Sequence, residues 1–315
     1  MLQVKNITFS YAKEKTINKI NFNLEKGKTI AIIGESGCGK STLLKLIYGL
    51  EDLDEGTIFW NEAQILGPKF HLVPGMDFMK YLAQDFDLMP FTTVSENIGK
   101  FLSNVNLEKK QQRIDELLVV VEMTEFSKIK VKNLSGGQMQ RVALARVLAR
   151  NPEVLLLDEP FSHIDNFRKN SLRRKIFSYL KQNQITTLIA THDSTDILSF
   201  SDQVMVMKKG SSIEINSPLE IYNSPKNQYT ASLFSEVNQI SALFFDSKID
   251  EVVLVYPHQL QIVSKSNLLV QIQKNYFRGT HYLVETLHET NIIYFENHEP
   301  IKENELVYIN LKSNN

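Results

Sequence analysis

Along the chain, apolar and β-branched positions first gather into three strand-like runs, residues 2–11, 20–24 and 29–33, parted by polar turns such as Glu25-Lys26-Gly27. The third run leads straight into glycines, and a helix is expected after them over residues 42–48. From about residue 86 to 150 the spacing becomes helical. Ile114, Leu117, Leu118 and Val121 share one face there, and the charged run 108–113 solvates its start. Residues 154–157 and 187–190 are short continuous apolar runs, the pattern of strands covered on both faces in a parallel sheet. Such strands alternating with helices predict an α/β fold.

A hairpin is predicted from residues 204–207, the Lys209-Gly210 turn and residues 211–215. Ser217-Pro218-Leu219-Glu220 then supplies a capping Ser, a Pro at the first helical position and a Glu to close a capping box, so a short helix is expected. After about residue 235 helical periodicity ends. Strand-like segments recur at 252–256, 259–263, 268–273, 281–287, 291–295 and 306–311, which predicts a small β-barrel or sandwich. The expected organisation is an α/β unit over residues 1–235, with a helical subdomain at about 86–150, and an all-β unit over 236–315. The boundary rests on the change of pattern, since no Gly/Ser linker marks it.

Length and composition narrow the classes. The 315 residues suit two domains, and 43% hydrophobic with 23% charged residues is enough for real cores, which excludes extensive disorder. Lys plus Arg number 35 against 36 Asp plus Glu, a net charge of −1, so no global positive field favours nucleic acid. A local basic patch stays open. Cys38 is the sole cysteine and cannot form an internal disulfide; a reducing cytosol is the simplest compartment. Residues 1–6 alternate polar and apolar, with no signal-peptide pattern, and the apolar runs fall far below the roughly 20 residues that span a bilayer. A membrane role is expected to come through a partner.

Candidate chemistry begins at Gly34-Glu35-Ser36-Gly37-Cys38-Gly39-Lys40-Ser41, a Gly, four residues, then Gly-Lys-Ser, set between a strand and a helix that opens with Thr42. Glycines let successive N–H groups surround a phosphate, Lys40 offers a charge to the outer phosphates and Ser41 a hydroxyl to Mg²⁺. Within the loop, Cys38 reads as a small filler. Asp158 and Glu159 end the apolar run 154–157, at the sheet edge that faces a ligand crevice. Asp158 is the expected partner of Mg²⁺ and Glu159 can orient and deprotonate water; a solvated acidic pair is the plain alternative.

Leu134-Ser135-Gly136-Gly137-Gln138 opens a helix whose N-terminus can hold an anion. By itself it could be an ordinary helix entry. Lying between the phosphate loop and the carboxylate strand, it resembles the signature motif of ATP-binding cassette (ABC) ATPases, and the resemblance covers nearly all of residues 1–240. It implies that Tyr11 stacks on adenine, that Gln84 is the Q-loop glutamine sensing Mg²⁺ and water and coupling to the transport partner, and that His192 is the switch histidine at the γ-phosphate. Ser162-His163-Ile164-Asp165 is similar to the D-loop, though His163 stands where a small residue is usual; it reads as an exposed side chain and not as a second catalytic histidine. The resemblance further implies a head-to-tail dimer with a second copy, in which ATP on one phosphate loop is completed by Ser135, Gly136, Gly137 and Gln138 of the other.

Pro218, Tyr222, Pro225, Tyr229 and Phe234, and further on Tyr276-Phe277-Arg278-Gly279, are similar to the C-terminal extension of importer ATPases with a TOBE domain, an OB-like β-barrel. Val255-Tyr256-Pro257-His258 replaces the usual Val-Arg-Pro-Glu, which puts contacts through those charges in question. OB-like barrels also bind oligonucleotides, but Tyr276, Phe277, Tyr282, Tyr294 and Phe295 fall at strand spacing and read as core, so no nucleic acid is expected. The family reading is the ATPase subunit of a bacterial-type importer at the cytoplasmic face of the membrane. Its partners would be an integral-membrane permease and, indirectly, a solute-binding protein, with ferric iron or a polyamine as leading solutes. The competing readings are a soluble cassette ATPase acting on nucleic acid or ribosomes, whose usual tandem cassettes or basic tails are missing, and a GTPase, whose Asn-Lys-x-Asp sequence is missing.

Overall fold

A computed structural model describes residues 1–71, 73–245 and 248–312. They divide into two units, Met1–Pro218 and Leu219–Asn315. In the first, β1 (Leu2–Phe9), β2 (Ile17–Leu24) and β3 (Thr29–Ile33) precede α1 (Lys40–Tyr48). Next come β4 (Glu55–Trp60), β5 (Ala63–Gln64) and β6 (Met79–Leu82). The helical stretch holds α2 (Val94–Gly99), α3 (Leu107–Val120) and α4 (Gly136–Leu148). The unit closes with β7 (Val154–Asp158), α5 (Asn166–Gln182), β8 (Thr186–Ala190), α6 (Ser194–Phe200), β9 (Gln203–Lys208) and β10 (Ser211–Asn216).

Two sheets form. One is antiparallel, in the order β2-β1-β4-β5; the other runs β10-β9-β3-β8-β7-β6, parallel except for the β9–β10 hairpin. Every residue of β3, β7 and β8 is buried, as their unbroken apolar runs require. Parallel pairing carries Ile33, Leu82, Asp158 and Ala190 to the same sheet edge, so the loops after β3, β6, β7 and β8 emerge together. In the helical stretch Ile114, Leu117, Leu118 and Val121 are buried, as their spacing predicts.

Several bounds move. β1 stops at Phe9, leaving Tyr11 outside it, and β2 begins at Ile17. α1 starts at Lys40 because Gly39, at φ 108°, is its cap. β4, β5 and β6 were not anticipated; only alternate residues of β4 are buried, and glycine at its second position weakens the local signal.

The second unit begins earlier than the expected 236. α7 (Pro218–Asn223) stands at the division and α8 (Gln228–Ser232) follows. Both precede β11 (Asn238–Ser241), β12 (Val252–Val255), β13 (Leu260–Val263), β14 (Leu268–Phe277), β15 (Tyr282–His288), β16 (Asn291–Asn297) and β17 (Leu306–Leu311). Tyr222 of α7 stacks on Tyr256 with ring centres 4.7 Å apart, and the Tyr256 hydroxyl donates to the Ala231 carbonyl of α8 at 3.4 Å. These contacts place residues 219–235 with the strands, so the unit is not all-β.

Its antiparallel sheet runs β13-β17-β14-β15-β16, beside the pair β11–β12. The outer strands β13 and β16 approach each other, so the sheet curls over a core that includes Ile240, Leu260, Val270, Val284, Phe295 and Ile309. The aromatics divide. Phe295 is core, whereas Phe277 is 67% exposed, and the Tyr276 and Tyr294 hydroxyls both donate to Glu285 Oε2, at 3.0 and 3.3 Å. Tyr276 and Phe277 therefore depart from the expected core role.

Candidate active site

The phosphate loop is shaped from behind. Gly34 lies at φ 150°, and a Cβ there would stand 2.3 Å from the Met207 carbonyl oxygen. At Gly39 a Cβ would meet Ile17 Cδ1 at 2.9 Å and the Thr16 carbonyl oxygen at 3.0 Å. Gly210, in the β9–β10 turn, donates its N–H to the Cys38 carbonyl at 3.0 Å. α1 has no side-chain cap, so its first N–H groups are left to an anion, with its dipole reinforcing them. Lys40 Nζ donates to the Gly34 and Glu35 carbonyls at 2.8 and 3.1 Å. Cys38 is buried, and burial pushes its thiol up against the opposing pull of Lys40, which suits a filler and not a thiolate.

Asp158, 4% exposed, ends β7. Burial pushes its carboxyl up, while hydrogen bonds from Ser41 and Tyr81 and the charges of Lys40 and Lys45 pull the other way. The Tyr81 hydroxyl donates to Asp158 Oδ2 at 3.3 Å. Glu159 follows with φ 51°, in the left-handed region, and its Oε1 lies 2.9 Å from His192 Nδ1. His192 is mostly exposed and the Glu159 side chain mostly covered. Ser41, Asp158, Glu159 and His192 are thus brought together with Lys40 at one sheet edge. Gln84 is exposed just beyond β6, and Tyr11 is 55% exposed, its ring edge-on to Phe9 at 4.7 Å.

Ser135 and Gln138 cap α4 reciprocally. The Gln138 N–H donates to Ser135 Oγ at 3.3 Å and the Ser135 N–H to Gln138 Oε1 at 2.9 Å. Ser135, Gly137 and Gln138 line a cleft of about 220 Å³ with Arg141, Asp165 and Arg168. No residue of the phosphate loop is among its walls.

The sequence profile of the ABC transporter family matches residues 17–162. An Fe(3+) ions import ATP-binding protein, FbpC of Escherichia coli O157:H7, is 35% identical over 251 residues, which are 79% of this chain and 71% of that protein. The chain belongs to the ABC transporter family. The putrescine transport ATP-binding protein PotG of Escherichia coli K12 is 32% identical over 274 residues, which are 85% of this chain and 72% of that protein. Among solved structures, a dimeric post-hydrolysis state of the cassette MJ0796 bound to ADP and Pi superposes with TM-score 0.62 at 27% identity, covering 69% of this chain and 99% of that one. The cbiO1 protein of Clostridium perfringens, part of the cbiONQ transporter complex, gives TM-score 0.62 at 28% identity over 70% of this chain and 89% of its own. The cassette is an ATPase.

Three features of its site have no contiguous sequence signal. Tyr81 reaches Asp158 from the neighbouring strand β6. Gln140, two residues past the signature, is buried against the segment that follows Glu159. The loop that carries His192 is moored to α5 by Arg173, which pairs with Asp193 and, through Nε at 2.5 Å, with Asp196 Oδ1. These pairs hold by charge and proximity, since their angles fall outside hydrogen-bond alignment. Lys169 adds a 2.9 Å bond to Asp193. Burial pushes Asp193 up, but Lys169 and Arg173 together outweigh it and hold the carboxyl well below the usual range. At Asp196 burial prevails and the carboxyl is raised.

Proposed function

We propose that the cassette is the ATP-hydrolysing subunit of an importer, working as a head-to-tail dimer beneath a separate permease, with ferric iron or a polyamine as the solute. The observation that carries this reading is Glu159 held on His192 at the sheet edge where the phosphate loop also emerges. In this reading the loop N–H groups and Lys40 receive the outer phosphates, Tyr11 stacks on adenine, Gln84 senses the nucleotide, and Glu159 takes a proton from the attacking water. His192 keeps the carboxylate aimed and faces the γ-phosphate. Gly136 and Gly137 bring the N-terminus of α4 to the partner's nucleotide; the cleft that Ser135, Gly137 and Gln138 line holds no phosphate-loop residue of their own chain.

Ser41 and Asp158 fit Mg²⁺. They are hard oxygen donors hydrogen-bonded to each other, and among the described residues no group of three or more His, Cys, Asp or Glu could hold a metal alone. A small protein share, completed by phosphates and water, is the habit of Mg²⁺. When bound, it neutralises charge on the phosphates.

A cleft of about 360 Å³, lined by Tyr48, Val73, Asp87, Phe101, Arg146 and Arg150, lies beside residues 84–87 and offers a seat for the permease. No described helix is long and apolar enough to cross a membrane; in this reading the permease holds the cassette at the cytoplasmic face, and a solute-binding protein feeds the permease. The curled sheet of the second unit supports a TOBE-like barrel. The import names of FbpC and PotG support the direction and the solutes.

The test is Glu159→Gln, which keeps size and hydrogen bonding but cannot accept the proton. Turnover should fall by about 10²–10⁴-fold, with ATP still bound and an ATP-dependent dimer visible by size-exclusion chromatography. Full turnover would remove Glu159 from the mechanism, and uptake of iron and putrescine after gene deletion decides the solute.

A further inference from the structure

Gly137 and Gln140 lie three residues apart on α4 and share a face. That face rests on the segment just past Glu159. A Cβ at Gly137 would stand 2.6 Å from the His163 carbonyl oxygen. One turn on, Gln140 is 2% exposed and spends both ends of its amide on the same segment. Its Nε2 donates to the Glu159 carbonyl at 2.8 Å and to Ser162 Oγ at 3.4 Å, while its Oε1 accepts from the His163 N–H at 3.0 Å.

Glu159 has reason to be held. A non-glycine residue at φ 51° sits in a region side chains disfavour, and it persists where its surroundings over-determine it. Its N–H donates to the Ala190 carbonyl at 2.9 Å, and the Ser162 hydroxyl donates to its carbonyl at 3.0 Å. Gln140 is the restraint that comes from the helix beginning with Gly136 and Gly137. That helix also reaches the Q-loop, Arg146 donating to the Phe86 and Asp87 carbonyls at 3.0 and 2.5 Å, and the Phe86 ring meets His163, in the segment after Glu159, edge-on at 5.6 Å.

We propose that Gln140 is a positioning residue that ties α4 to Glu159, so that seating the helix N-terminus on a partner's nucleotide sets the hydrolytic carboxylate of the protomer that owns the helix. The proposal rests on Glu159 as the residue that activates water. A glutamine suits the task because donor and acceptor are fixed in one plane. A glutamate would offer no donor to the Glu159 carbonyl, and a methionine fills the same length with neither.

The test is Gln140→Met in the full chain, alone and in the Glu159→Gln background. Alone, kcat should fall at least about tenfold with KM and Kd for ATP kept within about twofold, the mark of an interaction used in the chemical step. In the Glu159→Gln background the added substitution should change the single-turnover rate by less than about twofold, because no carboxylate remains to be placed. Ser162→Ala removes an exposed hydroxyl of the same clamp without disturbing the core; it should lower kcat in the same direction, by less, again only where Glu159 is intact. Parent-like kcat in these variants, or equal losses in both backgrounds, overturns the proposal. Full turnover of Glu159→Gln itself overturns the reading of Glu159, and this proposal with it.

Discussion

Gly136 and Gly137 are neighbours with opposite surroundings. A Cβ at Gly136 would meet nothing within 4 Å, whereas at Gly137 it would press on the His163 carbonyl. Gly137→Ala should therefore cost about 1–3 kcal/mol, as overpacking does, and displace the segment after Glu159. Gly136→Ala should keep or raise stability, since alanine favours a helix by roughly 0.5–1 kcal/mol over glycine, and in the proposed head-to-tail dimer it should slow turnover by crowding the partner's nucleotide. Thermal melting and ATPase assays on the two variants check this, and equal melting points would count against the packing account.

Lys40→Ala should weaken ATP binding. A charge-assisted hydrogen bond is worth about 1.5–3 kcal/mol, or roughly 10- to 100-fold in affinity. Calorimetry reads this directly, and unchanged affinity would sink the phosphate-loop assignment.

Arg173→Met leaves Asp193 and Asp196 without their buried cation, so stability near pH 7 should drop by about 3–5 kcal/mol. The pH dependence follows from the two shifts. Asp193, held low when folded, contributes stability that is full above its ordinary value of 3.8 and is lost as pH falls through its folded value. Asp196, raised when folded, costs stability as pH rises through its folded value. Removing the arginine moves both carboxyls up. The gap between variant and parent should then narrow as pH falls toward about 4; urea unfolding across that range checks it, and a gap independent of pH would refute the mooring.

The division at Pro218 has a direct check. A chain ending at residue 218 should be monodisperse, while one ending at 235 exposes Tyr222, which stacks on Tyr256 in the whole second unit. Size-exclusion of the two, with more aggregation from the shorter one, would contradict the division.

Contiguous motifs were legible in the sequence because their chemistry is local. Glycines that bend a loop, a lysine beside them and a carboxylate at the end of an apolar strand announce themselves by spacing. β3, β7 and β8 were legible for the same reason, being apolar without interruption. What stayed hidden is what tertiary packing decides. Tyr81 meets Asp158 through strand register, and Arg173 finds Asp193 and Asp196 from another helix. β6, with two of its four residues half-buried, gave no period to read. The second unit starts before the expected boundary because α7 and α8 are helical, unlike the strands that follow, yet the Tyr222 ring and the Ala231 carbonyl both contact Tyr256.

The contacts behind the phosphate loop, from Met207, Thr16, Ile17 and Gly210, bear on how the loop meets its ligand. A cradle locked from the rear is pre-organised. The ordering entropy of its backbone, about 1–2 kcal/mol per residue, is settled when the chain folds and need not be drawn from each encounter with ATP. Capture then depends on diffusion and charge, with little rearrangement. Substitutions at Thr16, Ile17 or Gly210 would lower affinity by loosening a shape, from positions that belong to none of the motifs.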